Sequence, residues 1–243
     1  MLHAALWGGA ASLSLFLGSL AALYLKIPQK LIGYIMALGT GILIGTSCFD
    51  LLDEGVKESG IMSTSLVFMA GAAIFTAAEF FISRKGGMHR KRSKSRKDSK
   101  DSSGLAIFLG TLMDAIPESI VIGVSIIASG SVNLVFLAAI FVSNIPESLS
   151  SSAGLKSGGY SKGKIMALWG SVVIVSAVSA MLGYVFLRDS SEAVLASIGT
   201  FGAGGLVAMV CSTMLPEAFE EGGPIVGLIA SFGLIASLFL TAI

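Results

Sequence analysis

Charged residues are scarce in this sequence. They make up 13% of its 243 residues, whereas a soluble domain has about 25%. Hydrophobic residues account for 54%, and the mean hydropathy is +0.86. This composition excludes an ordinary soluble fold and predicts a polytopic membrane protein with most of its mass in lipid.

Histidine and cysteine are also rare, with two residues of each type. Cys48 and Cys211 lie in different apolar segments, so neither a disulfide framework nor a CxxC metal site is predicted. The central segments contain no histidine, which argues against the His-Glu-x-x-His helix of a metalloprotease. An intramembrane hydrolase is therefore the least favoured hypothesis, and we do not expect an enzyme. No P-loop sequence suggests an ATP-driven pump.

Eight apolar segments, each near the roughly 20 residues that cross a bilayer as a helix, follow one another along the chain. They cover residues 4–24, 31–52, 61–83, 104–129, 132–155, 164–187, 193–217 and 224–242. Since an isolated strand cannot satisfy its backbone in lipid, we expect helices. The predicted fold is thus all-α, with eight transmembrane helices in a single domain over residues 1–243.

Lysine and arginine are distributed unevenly among the connecting loops. With eight spans, fourteen of the 16 Lys and Arg residues fall on one side, nine of them between residues 84 and 100. Because basic loops remain cytoplasmic, residues 84–103 are predicted to form a disordered cytoplasmic loop, with both termini outside. We expect a multi-pass protein of the plasma (inner) membrane, whose basic loop contacts anionic lipid rather than nucleic acid.

The second and seventh segments end with similar sequences. Residues 47–55 read Ser-Cys-Phe-Asp-Leu-Leu-Asp-Glu-Gly, and residues 212–222 read Ser-Thr-Met-Leu-Pro-Glu-Ala-Phe-Glu-Glu-Gly. With eight spans, these two endings face opposite sides of the membrane. The pattern favours an inverted repeat of spans 1–3 and 6–8 around the central spans 4 and 5, as in many secondary transporters.

Two nearly identical hexapeptides lie in the middle of the fourth and fifth segments. They are Asp-Ala-Ile-Pro-Glu-Ser at 114–119 and Ser-Asn-Ile-Pro-Glu-Ser at 143–148. An ionised carboxylate at this depth costs about 2.5–3.5 kcal/mol on insertion scales. No lysine or arginine lies between residues 101 and 155 to offset it. A bound proton or cation must compensate, and we therefore predict a cation site within the membrane.

Helical spacing brings the polar side chains of each hexapeptide together. Asp114 and Glu118 are four residues apart, and Asn144 and Glu147 are three apart, so each pair shares a helix face. Each proline also frees a backbone carbonyl one turn earlier, which adds an oxygen ligand. The predicted metal ligands are Asp114, Glu118, Asn144 and Glu147, followed by the weaker candidates Ser119, Ser143, Ser148, Asp50 and Glu217.

Each of these predictions has a simpler alternative. Prolines are common kinks in transmembrane helices, and the glutamates could be protonated; two similar copies in adjacent segments make this interpretation less favoured. Asp50, near the outer end of span two, lines an outer access path or ends a solvated helix. Glu217, at the inner end of span seven, has the same two interpretations.

The chain resembles the ZIP (Zrt-, Irt-like) family of divalent metal transporters over essentially its whole length. Eight spans, outward termini, a long loop after span three and Pro-Glu motifs in spans four and five all match. The family motifs read His-Asn-x-Pro-Glu-Gly and, commonly, His-Glu-x-Pro-Glu-Gly. Here both Pro-Glu pairs remain, but Asp114 and Ser143 replace the histidines. Ala115 and Asn144 occupy the second positions, and both glycines are serine.

The resemblance implies a secondary transporter that moves a divalent cation toward the cytoplasm, with spans 1, 4, 5 and 6 carrying the site. Zn²⁺ is the ion expected for the family, with Mn²⁺, Fe²⁺, Co²⁺ and Cd²⁺ as further substrates. Because carboxylate, amide and hydroxyl oxygens suit harder ions than imidazole does, Mn²⁺ or Fe²⁺ is also expected. The lost histidines motivate an alternative, a metal-binding sensor or a degenerate, non-transporting membrane protein. A homodimer is left open.

Overall fold

The computed structural model describes residues 1–84 and 102–241, which form helices and connecting turns and contain no strand. The helices are α1 Leu2–Tyr24, α2 Gln29–Thr46, α3 Leu52–Arg84, α4 Ser102–Ser129, α5 Leu134–Ser157, α6 Lys162–Leu187, α7 Glu192–Met209, α8 Leu215–Gly222 and α9 Val226–Thr241. Two π-helical turns continue the chain between neighbouring helices. Ser47–Leu51 joins α2 to α3, and Val210–Met214 joins α7 to α8.

Glycines with positive φ interrupt two of these helical runs. Gly60 (φ 75°, ψ 161°) separates a short first part of α3 from its long second part. Gly223 (φ 75°, ψ −161°) separates α8 from α9. Other residue types rarely adopt these backbone angles, so glycine is required at both breaks.

Six helical stretches are long and apolar enough to cross a membrane, as expected of a multi-pass membrane protein. They are Leu2–Tyr24, Gln29–Phe81, Gly110–Ala128, Leu134–Ser157, Lys162–Leu187 and Glu192–Gly222. The predicted all-α class is therefore confirmed for the part of the chain that the structure describes. The count of eight stays a prediction, because Gln29–Phe81 is one stretch where we predicted two, and Val226–Thr241 has only 16 residues. Most of the predicted basic loop, residues 85–101, lies outside the described residues.

The helices pack in a pattern that places α4 and α5 near the centre. α1 lies against α5 and α6, and α4 packs mainly on α6. α2 pairs with α9, α3 pairs with α7, and α5 also runs along α2. Polar residues of α4 and α5 are thus enclosed by helices from both ends of the sequence.

Glycines allow close approach of the helix pairs α2–α9 and α3–α7. α2 and α9 meet at Gly41 and Gly233, and α3 and α7 meet at Gly71 and Gly204. A Cβ atom at any of these four positions would overlap the backbone of the partner helix. Close backbone approach through small residues is the usual basis of helix association in lipid.

Candidate cation site

Both Pro-Glu motifs lie in the protein interior, on helices that continue through the prolines. Asp114 and Glu118 of α4 are 5% and 4% exposed, and Asn144 and Glu147 of α5 are 3% and 4% exposed. Carboxylates this deep must be neutralised by a proton, a partner or a cation. The sequence places both hexapeptides in the middle of apolar segments, and in the structure all four of these predicted ligands are buried.

A cavity of about 120 Å³ lies between α3, α4 and α7, beside the first motif. Asp114, Pro117 and Glu118 form one part of its wall, and apolar side chains such as Phe75 and Met209 form most of the remainder. None of the described residues that line it belongs to α5. The structure therefore gives the first motif a cavity of its own, separate from the second motif.

The serines of the two motifs make contacts within and between helices. Ser143 lies against Gly39 of α2, and Ser148 lies against Gly18 of α1. Ser119, Ser143 and Ser148 donate their hydroxyl protons to carbonyls three or four residues earlier on the same helix, at 2.6, 3.1 and 2.9 Å. A ligand role for these hydroxyl oxygens stays a prediction.

The amide of Asn144 is the most informative group of the second motif. Its Nδ2 atom is buried and has no hydrogen-bond partner among the described residues. Leaving a buried donor without a partner costs about 1–3 kcal/mol. A polar group that accepts a hydrogen bond from Nδ2 of Asn144 would remove this cost.

The four predicted ligands do not form a complete metal cage in this conformation. Within the described residues, no group of three or more His, Cys, Asp and Glu side chains could hold a metal ion. A cation bound here needs oxygens from Asn144, serine or the backbone, or a closer approach of α4 and α5. The ligand set predicted from the sequence is therefore still a prediction.

Two hydrogen bonds connect α5 and its N-cap to the acidic residues Asp50 and Glu217. At the start of α5, Asn133 donates from Nδ2 to Asp50 Oδ2 in the first π-helical turn. Further along α5, Ser150 donates its hydroxyl proton to Glu217 Oε1 of α8. The structure thus gives each of the two weaker acidic candidates a polar partner on α5.

Sequence analysis missed both of these partners, although each has a local signal. Asn133 is the N-cap of α5 and accepts a hydrogen bond from the Phe136 amide at 2.9 Å. An asparagine just before an apolar run is a typical helix start. Ser150 is three residues beyond Glu147 and so shares its helix face.

A smaller cavity, of about 30 Å³, lies near the other end of α4. Glu54, Ser125 and Asn133 supply its polar lining. Val121 lines both this cavity and the larger one, so it separates the two. Sequence analysis did not name Glu54 as a candidate site residue.

Comparison with known proteins finds similarity to a distant relative that is named as a transporter. No family model matches the chain. Over 211 residues it is 25% identical to an Arabidopsis thaliana protein named "Putative zinc transporter". The alignment covers 86% of this chain but 33% of the relative, so the chain spans about a third of the length of the curated relative it matches.

Proposed function

We propose that this protein is a secondary transporter that moves a divalent metal cation across the membrane toward the cytoplasm. The observation that carries the proposal is the burial of two Pro-Glu motifs on neighbouring membrane helices, with Glu118 and Glu147 each 4% exposed. Residues 101–155 contain no lysine or arginine. A divalent cation is a suitable counter-charge for two buried carboxylates, and acids within membrane helices commonly mark ion pathways.

The distant relative supports the same class of activity. Its name describes it as a zinc transporter, and the aligned region covers nearly the whole of this chain. We therefore infer Zn²⁺ as the first substrate to test. The absence of histidine from the motifs leads us to include the harder ions Mn²⁺ and Fe²⁺.

We further propose that the chain has eight spans, with spans 1–3 and 6–8 forming an inverted repeat. Helix packing supports this. In such a repeat, α1 corresponds to α6, α2 to α7, α3 to α9 and α4 to α5. The α1–α5 contact then has its counterpart in α6–α4, and the α2–α9 contact has its counterpart in α7–α3. All four contacts are extensive, and α2 and α7 both end in a five-residue π-helical turn. Inverted repeats are related by a pseudo-two-fold axis in the membrane plane, so the protein can open to either side when the two repeats exchange conformations, which is the usual basis of alternating access.

The ligands that we propose for the cation are Asp114, Glu118, Asn144 and Glu147, with backbone oxygens freed by the prolines. In this scheme α4 and α5 approach each other when the ion binds. The basic loop stays in the cytoplasm, and the termini face outward. The bound ion then leaves toward the side that carries Glu217.

The proposal is tested by cation uptake into liposomes that contain the purified protein. Zn²⁺, Mn²⁺, Fe²⁺, Co²⁺ and Cd²⁺ are supplied outside under a pH gradient and, separately, under a voltage, with protein-free liposomes as the control. We expect uptake of at least one ion above the control. Failure of all five under both gradients would overturn the proposal.

One observation favours a second function, that of a protein which binds metal without carrying it. Asp114 and Ser143 stand where the family that the sequence resembles has histidines, so imidazole ligands are lost while Glu118 and Glu147 remain. A sensor would bind the cation at equilibrium and show no flux in the same liposomes. Equilibrium dialysis beside the uptake assay distinguishes the two functions.

A further inference from the structure

The two π-helical turns define an internal register for the chain. Ser47–Leu51 and Val210–Met214 are offset by 163 residues. With this offset, eight positions between residues 39 and 60 are identical in the second copy. The matched pairs are Gly39/Gly202, Gly41/Gly204, Leu43/Leu206, Cys48/Cys211, Leu52/Leu215, Glu54/Glu217, Glu58/Glu221 and Gly60/Gly223.

Several of these matched residues have the same structural role in both copies. Gly60 and Gly223 both have φ of 75° and both end a short helix that follows a π-helical turn. Gly41 and Gly204 both lie where a helix pair crosses most closely. Backbone state and helix crossing thus agree with the sequence register.

The Pro-Glu motifs provide a second, independent register. The residue three positions after the motif glutamate is Val121 on α4 and Ser150 on α5. Ser150 is hydrogen-bonded to Glu217, and Val121 shares the 30 Å³ cavity with Glu54. Under both registers, the proximity of Glu54 to α4 therefore corresponds to the contact of Glu217 with α5.

We propose that Glu54 captures the cation at the outer mouth, as the counterpart of Glu217 at the inner mouth. This inference rests on the proposed transport function. Ser125 and Asn133 also line the cavity beside Glu54. A space of about 30 Å³ is enough for a small ion or about two waters, because one water needs roughly 10–15 Å³. The ligand class is a divalent cation that has lost part of its hydration shell.

The two mouths differ in the residue that faces the carboxylate. Ser150 donates a hydrogen bond to Glu217, which engages that carboxylate at the inner end. Val121 has no polar atom to donate to Glu54. At residue 121, α4 therefore supplies no hydrogen bond that competes with a cation for the Glu54 carboxylate.

The test measures initial uptake rates against outer cation concentration for Glu54→Gln. Glu58→Gln is the matched control, because Glu58 lies one turn further on the same helix and is exposed. We expect the KM of Glu54→Gln to rise about tenfold, the effect of one partly screened charge, with kcat within about twofold. Glu54→Asp, which keeps the charge, should restore most of the loss in KM, and Glu58→Gln should match wild type.

A second variant introduces near Glu54 a hydroxyl donor like the one that Ser150 provides to Glu217. Val121→Thr keeps the side-chain shape and adds a hydroxyl that can donate to Glu54, so we expect it also to raise KM. Monodisperse elution of every variant on size-exclusion chromatography controls for folding. Wild-type uptake together with an unchanged KM in Glu54→Gln would overturn this inference alone. Absence of uptake by wild type would overturn the proposed function as well.

Discussion

At the level of single residues, Asp114 determines whether the proposed site offers a carboxylate oxygen or a softer ligand to the cation. It occupies the position of a histidine in the transporter family that the sequence resembles, and it lies 5% exposed in the cavity wall beside Glu118. Imidazole is the softer donor and favours zinc, whereas carboxylate oxygen favours manganese. We expect Asp114→Ala to weaken cation binding and Asp114→His to shift preference toward Zn²⁺ over Mn²⁺ severalfold.

Competitive uptake of the two ions measures this preference. Wild type, Asp114→His and Asp114→Ala are compared at the same protein density in liposomes. A Zn²⁺ to Mn²⁺ ratio that does not change in Asp114→His, with full activity in Asp114→Ala, would show that Asp114 is not a ligand.

Glu118 and Glu147 carry the most direct prediction about binding. Replacing either with glutamine keeps the shape and one oxygen but removes the charge that offsets dehydration of a divalent ion. We expect Glu118→Gln and Glu147→Gln to fold, because a neutral side chain is easier to bury than a carboxylate. Bound metal, measured by elemental analysis after dialysis, should fall at least tenfold in each. Wild-type metal content in both variants would exclude these carboxylates from the site.

At the level of helices, glycine packing predicts a clear difference between two positions on α9. A Cβ at Gly233 would overlap the backbone of α2 near Leu38, whereas a Cβ at Gly227 meets nothing within 4 Å. We expect Gly233→Ala to destabilise the protein by about 1–3 kcal/mol through overpacking. Gly227→Ala should be neutral or slightly stabilising, since alanine favours helix by up to about 1 kcal/mol. Thermal unfolding in detergent measures both, and equal Tm values would contradict the crossing.

The sequence predicted the positions of the central helices well, but not their partners. The predicted segments 104–129 and 132–155 agree with α4 and α5 to within two residues at each end. Hydrophobic runs and turn residues specify such boundaries locally. The Ser150–Glu217 bond joins residues 67 apart, and no local pattern specifies a pairing at that distance.

The repeat shows where sequence reasoning was incomplete. Similar endings of the second and seventh segments were recognised, but neither the register nor the equivalence of Glu54 and Glu217 followed from them. The offset of 163 residues is defined by the π-helical turns Ser47–Leu51 and Val210–Met214, which hydrophobic periodicity does not distinguish from α-helix. The role proposed for Glu54 rests on this equivalence. Its position in the acidic first turn of α3 did not by itself suggest that role.

At the level of the whole molecule, the proposed topology predicts which loops face which side. The positive-inside rule places the loop around Lys57 outside and the one around Lys162 in the cytoplasm. In a background with Cys48 and Cys211 replaced by serine, Lys57→Cys should react with a membrane-impermeant maleimide in intact cells. Lys162→Cys should react only after the membrane is opened. Labelling of both cysteines in intact cells would contradict the eight-span arrangement.

The central claim is that two buried Pro-Glu motifs carry a divalent cation through the membrane. It is tested most directly by zinc and manganese flux into liposomes that contain equal amounts of wild-type or Glu147→Gln protein. The account predicts saturable uptake by wild type and uptake by Glu147→Gln no greater than in protein-free liposomes. Equal uptake by wild type and Glu147→Gln would contradict it.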